Sequence, residues 1–328
     1  MSTIAPAPPF GVSARGFWPA FAVTLRPYLL FVSGVAGLVG LAVGPPLPRE
    51  EFMLAFAAFF LSYGLGQALT DVFQTDTDAL SSPYRPLVRG EIRRTAVLAV
   101  SLTGLVVCGA ALALLNGWNL LLSALAIAGL VGYTPLKRRW WGGPVCNAAV
   151  VALLPAMAFL AAGGSAEGLL REPAPRAAMA SVFASYAVFV LLGYLKDVEA
   201  DRATGYRTIA VRFGRRATVA ASAAFGLGAA AASACLVWRP FADVSPDKLP
   251  GAALWVAGLL LLLAAHFRAA RVRTDAEAFP AIVLSVRGFL ALHLGEASLL
   301  RPSLFPWAVV LFLAFEAALA ARPCREQI

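Results

Sequence analysis

Ten apolar stretches divide the chain, at roughly residues 24–45, 52–70, 95–116, 118–133, 145–163, 177–196, 217–237, 251–267, 279–298 and 304–321. A helix of about 20 apolar residues crosses the hydrocarbon core of a bilayer. The stretches are too long for barrel strands and lack strict alternation, so helices are the only way to satisfy their backbone in lipid. Of 328 residues, 60% are hydrophobic and 14% charged. An ordinary soluble domain carries about 25% charged residues. A water-soluble fold of this size has no room to hide so much apolar surface, and a disordered chain would be polar. The expected fold class is all-α: a polytopic membrane protein with one transmembrane domain over residues 17–322. A Pro-rich, loose tail is expected over residues 1–16, without the pattern of a cleaved signal, and a short tail over residues 323–328. Cys108, Cys146, Cys235 and Cys324 form no CxxC pair, and His266 and His293 are too few and too far apart for a His-based metal centre.

The rare charges then carry the information. Lys and Arg number 27, Asp and Glu 18. Sixteen of the basic residues fall in the connections 71–94, 134–144, 196–216 and 268–278, and few in the alternate connections. By the positive-inside rule the rich set is cytoplasmic, together with both termini. Two of these cytoplasmic connections also hold acids in short runs: Asp71, Asp76 and Asp78, then Asp197, Glu199 and Asp201.

On one continuous helix Asp71 and Asp78 lie about 20° from alignment, with Gln67 and Gln74 on the same side and Asp76 about 140° away from Asp71. Asp197 and Asp201 are an i,i+4 pair and share a face, with Glu199 pointing away. Each run is followed by Tyr-Arg, at Tyr84-Arg85 and Tyr206-Arg207, a weak internal repeat. Like-charged carboxylates on one face repel unless a cation sits between them. Paired Asp at a membrane edge amid Arg and Lys suits Mg²⁺ with a phosphate ligand: carboxylates hold the hard cation and basic groups take the remaining oxygens. The plainer reading is a pair of solvated loops whose Asp cap helices and balance charge.

With these runs in view, the chain resembles the UbiA superfamily of intramembrane prenyltransferases over roughly residues 20–300. Thr70 to Asp78 and Tyr84-Arg85-Pro86-Leu87-Val88-Arg89-Gly90 match its first signature, N-D-x-x-D-x-x-x-D followed by Y-R-P-L-x-x-G. Asp197 to Thr208 matches the second, D-x-x-x-D within K-D-x-E-x-D-R-x-x-G-x-R-T. Tyr133-Thr134-Pro135-Leu136-Lys137-Arg138, Asn147 and Arg26-Pro27 match further features. The resemblance implies nine helices around a central cavity open to lipid, here with an extra C-terminal helix, and an isoprenyl diphosphate held with Mg²⁺ under a cytoplasmic cap. It implies Asp71, Asp78, Asp197 and Asp201 as catalytic metal ligands. It implies Arg85, Lys137, Lys196 and Arg207 as diphosphate contacts, with Gln74, Tyr133 and Asn147 also lining the substrate site. Two departures stand out: Thr70 replaces the family's Asn, and Gln74 its second Asp, removing one formal charge from the site.

The implied chemistry is ionisation of an allylic diphosphate in a dry apolar cavity. Two outcomes stay open. A lipophilic acceptor (an aromatic compound, a quinone precursor or a lipid head group) captures the cation in a transferase. The chain's own double bond captures it in a terpene cyclase, which the altered first signature makes a serious rival. Tyr63, Phe73, Tyr133 and Tyr194 are candidates to face such a cation. The expected partners are the diphosphate, membrane lipid and, in the transferase reading, that acceptor, with no nucleic acid. A transporter would place its ionisable groups near the bilayer midplane. Only Arg287, His293 and Glu296 in the ninth stretch and Glu316 in the tenth have that character. His293 and Glu296 are spaced to pair, and Arg287 points elsewhere.

Overall fold

A computed structural model describes residues 9–243 and 245–324. Among these, fourteen α-helices follow one another: α1 (Phe17–Leu25), α2 (Leu30–Val43), α3 (Arg49–Asp71), α4 (Thr75–Ser81), α5 (Arg94–Leu115), α6 (Trp118–Lys137), α7 (Gly142–Ala161), α8 (Ala166–Arg171), α9 (Pro173–Gly193), α10 (Val198–Ala203), α11 (Ile209–Ala242), α12 (Leu249–Ala269), α13 (Phe279–Leu300) and α14 (Phe305–Ala320). Nine are long and apolar enough to cross a membrane, and α1 with α2 makes a tenth, bent by 41°. Every apolar stretch of the sequence is thus a helix, α14 is the extra C-terminal span, and the protein is an integral, multi-pass membrane protein.

The spans are not equivalent. In the most apolar windows of α9 and α13, 72% of residues are buried inside the bundle, against 22% for α6, α11, α12 and α14. The first pair runs through the middle and the second group turns its apolar residues toward lipid. Each break has a local cause. Between α1 and α2, Arg26 adopts a left-handed backbone (φ 51°) just before Pro27, a position where the proline ring disfavours helix. Gly214, at φ 84°, interrupts α11 near its start.

Glycine sets a close helix contact. A Cβ added to Gly258 would fall on the backbone nitrogen of Leu292, and one added to Gly295 on that of Trp255. α12 and α13 therefore meet backbone to backbone, the packing that small residues permit in lipid. Gly258→Leu is expected to force the two helices apart and destabilise the protein by about 3 kcal/mol or more. Loss of the monodisperse peak, or a clear fall in the melting temperature of detergent-purified protein, checks this.

The end of the tail expected to be loose is pinned instead. The Phe10 N–H donates to the Glu91 carbonyl (2.8 Å) and the Arg93 N–H to the Phe10 carbonyl (2.9 Å), while Arg93 Nε donates to the Pro9 carbonyl (3.0 Å). These bonds satisfy backbone groups of both segments. Residues 1–8, and 325–328 of the expected C-terminal tail, lie outside the described residues.

Candidate active site

The first acidic run does not continue α3. That helix ends at Asp71, and Gln74 (φ −120°, ψ 20°) starts the separate helix α4. The continuous-helix geometry is therefore corrected: Asp71 and Asp78 converge because the chain turns back between them. Asp76 stays outside, paired with Arg138 (3.1 Å) and near the Tyr206 hydroxyl (3.4 Å). The second run keeps its i,i+4 relation, since the Asp201 N–H donates to the Asp197 carbonyl at 2.8 Å. α4 and α10 pack together as a cap, with the Thr77 and Thr204 hydroxyls 3.1 Å apart.

Under this cap lies a cavity, open at its mouth. Its walls come from α2, α3, α5, α6, α7 and α9, with Arg26 before α2 and Asp78 and Arg85 from the cap side. The mouth is a lattice of buried charge. One guanidinium nitrogen of Arg26 donates to both oxygens of Asp71 (3.0 and 2.8 Å). Arg85 bridges Asp71 (3.4 Å) and Asp78. Lys137 Nζ donates to Gln74 Oε1 (3.2 Å) and lies 3.4 Å from Asp201, joining the two acidic runs. Lys196 pairs with Asp197 at 3.0 Å. Burial pushes the Asp78 and Asp201 carboxyls above the usual carboxylate range, against the pull of Arg85 and Lys137 respectively. For Asp197 burial acts the same way, but Lys196 and Lys137 outweigh it and hold the carboxyl below that range.

Of the expected site residues, Asp71, Gln74, Asp78, Arg85, Tyr133, Lys137, Asn147, Lys196 and Asp197 line the cavity. Asp201 sits just behind, fully buried against Lys137. Arg207 does not join them. Gly205 takes φ 78° and the Tyr206 N–H donates to the Asp201 carbonyl (2.8 Å). That turn sends Tyr206 inward, beneath Lys137 and Arg138, and leaves Arg207 exposed. The two Tyr-Arg pairs are therefore not equivalent: in the first the Arg enters the site, in the second the Tyr turns inward. Phe73 packs in the cluster beside α1 and not in the cavity. Arg26, read from the sequence only as an Arg-Pro match and an entry-flank charge, is 5% exposed and holds Asp71. Its signal was a charge inside the first apolar stretch. Tyr186, also lining the cavity, gave no signal within a uniformly apolar span.

The donor set can be tested against Mg²⁺ on the structure itself. Among the described residues no three Asp, Glu, His or Cys side chains gather in metal-binding geometry; each carboxylate leans on a cation. Yet the donors are hard oxygens, as the ion requires. Both carboxylate oxygens of Asp201 and the Nε of Arg85 are buried without a well-formed hydrogen bond. Such groups are costly unless a ligand completes them. The site fits a divalent cation with a polyanionic ligand.

Comparisons with known proteins agree. The UbiA prenyltransferase family pattern matches residues 29–293. A digeranylgeranylglyceryl phosphate synthase of Natronomonas pharaonis is 30% identical over 207 residues, covering 61% of this chain and 71% of the relative. One of Halobacterium salinarum is 33% identical over 198 residues, covering 60% and 68%. A UbiA homologue of Archaeoglobus fulgidus, solved with DMAPP and Mg²⁺, superposes with a TM-score of 0.61 at 18% identity, covering 83% of this chain and 98% of the other. The likeness of fold, the match across most of the chain and the composite charged mouth lead to one assignment: the chain belongs to the UbiA prenyltransferase family.

Proposed function

We propose that this enzyme moves a prenyl group from an isoprenyl diphosphate to a lipid acceptor, with Asp71, Asp78, Asp197 and Asp201 holding Mg²⁺. The carrying observation is the cavity itself: apolar walls under a mouth that concentrates Arg26, Asp71, Gln74, Asp78, Arg85, Lys137, Lys196 and Asp197. When bound, Mg²⁺ neutralises the diphosphate and makes it a leaving group. Arg85, Lys137 and Lys196 are cations already held at the mouth, where they bind the phosphoryl oxygens and stabilise the charge that grows as the C–O bond breaks. The packed walls exclude water from the allylic cation. The rings of Tyr133 and Tyr194, hydroxyls 3.3 Å apart, offer π faces to it.

The acceptor class follows the relatives named for a glyceryl phosphate product. A glyceryl phosphate carrying one prenyl group, one prenylation short of that product, is the acceptor to test first. Purified protein would be incubated with prenyl diphosphate and Mg²⁺, with and without acceptor, and the products identified by mass spectrometry. A prenyl ether formed only with acceptor is expected. A cyclic hydrocarbon formed without acceptor would replace transfer by cyclisation.

Gln74 bears on the ion directly. It lines the cavity at the place of the family's second Asp and is 7% exposed. Gln74→Asp adds a carboxylate beside Lys137 and is expected to lower the half-saturating Mg²⁺ concentration about threefold to tenfold, as read from initial rates across a Mg²⁺ titration.

The site and both termini are placed on the cytoplasmic side, on the support of the basic residues crowding the connections at that end. In a cysteine-free background, Arg139→Cys should react with an impermeant maleimide in inverted vesicles and not in intact cells. The opposite pattern would reverse the orientation.

A further inference from the structure

The polar side chains of the cavity wall are bonded within the protein, with one exception. The Ser62 hydroxyl donates to the Phe59 carbonyl (2.7 Å) and Gln67 Nε2 to Asp71 (3.3 Å). Tyr63 and Tyr186 meet hydroxyl to hydroxyl at 3.0 Å, and Tyr133 and Tyr194 at 3.3 Å. The charged groups pair at the mouth. Asn147, on α7, lines the same cavity, and among the described residues its carboxamide has no hydrogen-bond partner. An amide carries one acceptor oxygen and two N–H donors. Leaving them unmet in an apolar wall costs free energy and gives the fold nothing in return.

The depth of Asn147 follows from how α6 and α7 pack. A Cβ added to Gly143 would lie 3.1 Å from the Lys137 Cα, and one added to Gly129 would meet the Val150 side chain. The two helices run antiparallel, so Asn147 lies level with Tyr133, about 6 Å below Lys137 along the helix axis. Above this level are the cations and carboxylates of the mouth. Below it the lining from α7 is Val150, Val151 and Leu154, and that from α6 is Leu130 and Ala126. Asn147 thus stands at the border where a charged head group ends and an apolar tail begins. In the proposed reaction the C–O bond to the diphosphate breaks at that border.

We infer that Asn147 holds the acceptor: its Oδ1 accepts the hydrogen bond of the acceptor's hydroxyl and aims that oxygen at the first carbon of the prenyl chain. This role rests on the proposed transfer to a lipid acceptor and gives that acceptor a chemical class, an alcohol. In a glyceryl phosphate carrying one prenyl group, the free hydroxyl has an ether or phosphate-ester oxygen on a neighbouring carbon. One donor beside one acceptor matches the two ends of an amide. The hydroxyl oxygen forms the new C–O bond, and the old one breaks with its electron pair leaving on the diphosphate. The hydroxyl proton passes to the released diphosphate, so no further base is required. A neutral amide orients the hydroxyl without competing for the allylic cation, as a carboxylate would.

The test is binding of the second substrate, independent of turnover. Full-length protein in detergent would be saturated with Mg²⁺ and the tightest-binding of geranyl, farnesyl and geranylgeranyl S-thiolodiphosphate, which are unreactive donors. It would then be titrated with geranylgeranylglyceryl phosphate, or with its deoxy analogue, in which hydrogen replaces the hydroxyl; thermal stabilisation gives Kd. In the wild type the deoxy analogue is expected to bind about tenfold more weakly than the alcohol. Asn147→Leu keeps the shape of the side chain. It should bind the alcohol about tenfold more weakly than the wild type does, and no tighter than the deoxy analogue, while the donor Kd stays within about threefold. The melting temperature of unliganded Asn147→Leu should equal or exceed that of the wild type, since the fold loses no bond; a lower one would make the asparagine structural and overturn the role. Should the leucine variant not purify as a folded protein, Asn147→Ala carries the same binding comparison. A donor Kd weakened as much as the acceptor's, a variant that still separates alcohol from deoxy analogue tenfold, or a wild type that binds donor but does not prefer the alcohol, each overturns the inference. A wild type stabilised by none of the three donors instead overturns the diphosphate-binding reading, and the role of Asn147 falls with it.

Discussion

Asp71→Ala is expected to lower kcat/KM for prenyl transfer by on the order of 10³, about 4 kcal/mol of transition-state stabilisation. Asp71 is the carboxylate on which two buried guanidinium groups converge, Arg26 at 2.8 Å and Arg85 at 3.4 Å. Its removal takes a formal charge from the proposed metal-holding set and leaves Arg26 unpaired in a site where Arg26 is 5% exposed. Breaking a buried pair from one side also destabilises a fold, by about 3–5 kcal/mol, so the alanine variant alone would confuse two effects. Asp71→Asn separates them. The amide keeps the shape and one acceptor for Arg26, so the melting temperature should stay close to that of the wild type while activity falls nearly as far. An asparagine variant active within about threefold of wild type would remove Asp71 from the metal-holding set.

The second large effect lies far from the chemistry. Glu296 and His293 on α13 are fully buried and pair at 2.6 Å. Ser181 donates to the other oxygen of Glu296 (2.6 Å) and Ser185 meets His293 Nε2 (2.8 Å), both from α9. Each heteroatom of this chain has a partner. Glu296→Ala strands His293 and Ser181 together in the apolar interior, and a loss of about 3–5 kcal/mol is expected. Ser181→Ala removes one interhelical hydrogen bond, which in a membrane protein averages about 0.6 kcal/mol. Glu296→Gln keeps an oxygen for Ser181 and an N–H for His293, and should recover most of the loss. Unfolding in a denaturing detergent ranks the three. Equal effects for Glu296→Ala and Ser181→Ala would mean that the pair is no more than two independent hydrogen bonds. The pair of Arg287 with Glu316, at 2.6 and 2.7 Å, ties α14 to α13 in a similar way but is about a third exposed.

These two networks differ in how far the sequence announced them. His293 and Glu296 stood out as ionisable residues three apart in an apolar span, and their pairing follows from helix geometry alone; the serines that complete the network did not, because serine is unremarkable in a membrane helix. All ten spans were legible for a related reason: lipid leaves the backbone one solution, so composition and length suffice. The active site was legible in its residue types but not in its geometry. Asp71 and Asp78 share a site because α3 stops at Asp71 and the chain turns at Gln74, where an unbroken helix would also have aligned them. Arg207, expected in the site, stays outside and Tyr206 turns inward because Gly205 takes a positive φ, which one residue type permits but does not announce. Arg26 looked like flanking charge, since only the bend at Pro27 carries it inward. The hydroxyl contact of Tyr63 with Tyr186 in the cavity wall was hidden altogether, since it joins residues 123 positions apart.

The cavity wall is drawn from residues 26–197 and, among the described residues, none of its lining belongs to α11, α12, α13 or α14. The molecule is thereby split into a part that meets the reactants and a part that does not. Substitutions on the lipid-facing sides of α12 and α14 can tune how long the protein survives in a given bilayer, or what it sits beside, without altering what it makes. A chimera that takes its last four spans from a relative should therefore keep this protein's products, provided the glycine seam between α12 and α13 and the buried pair on α13 travel together.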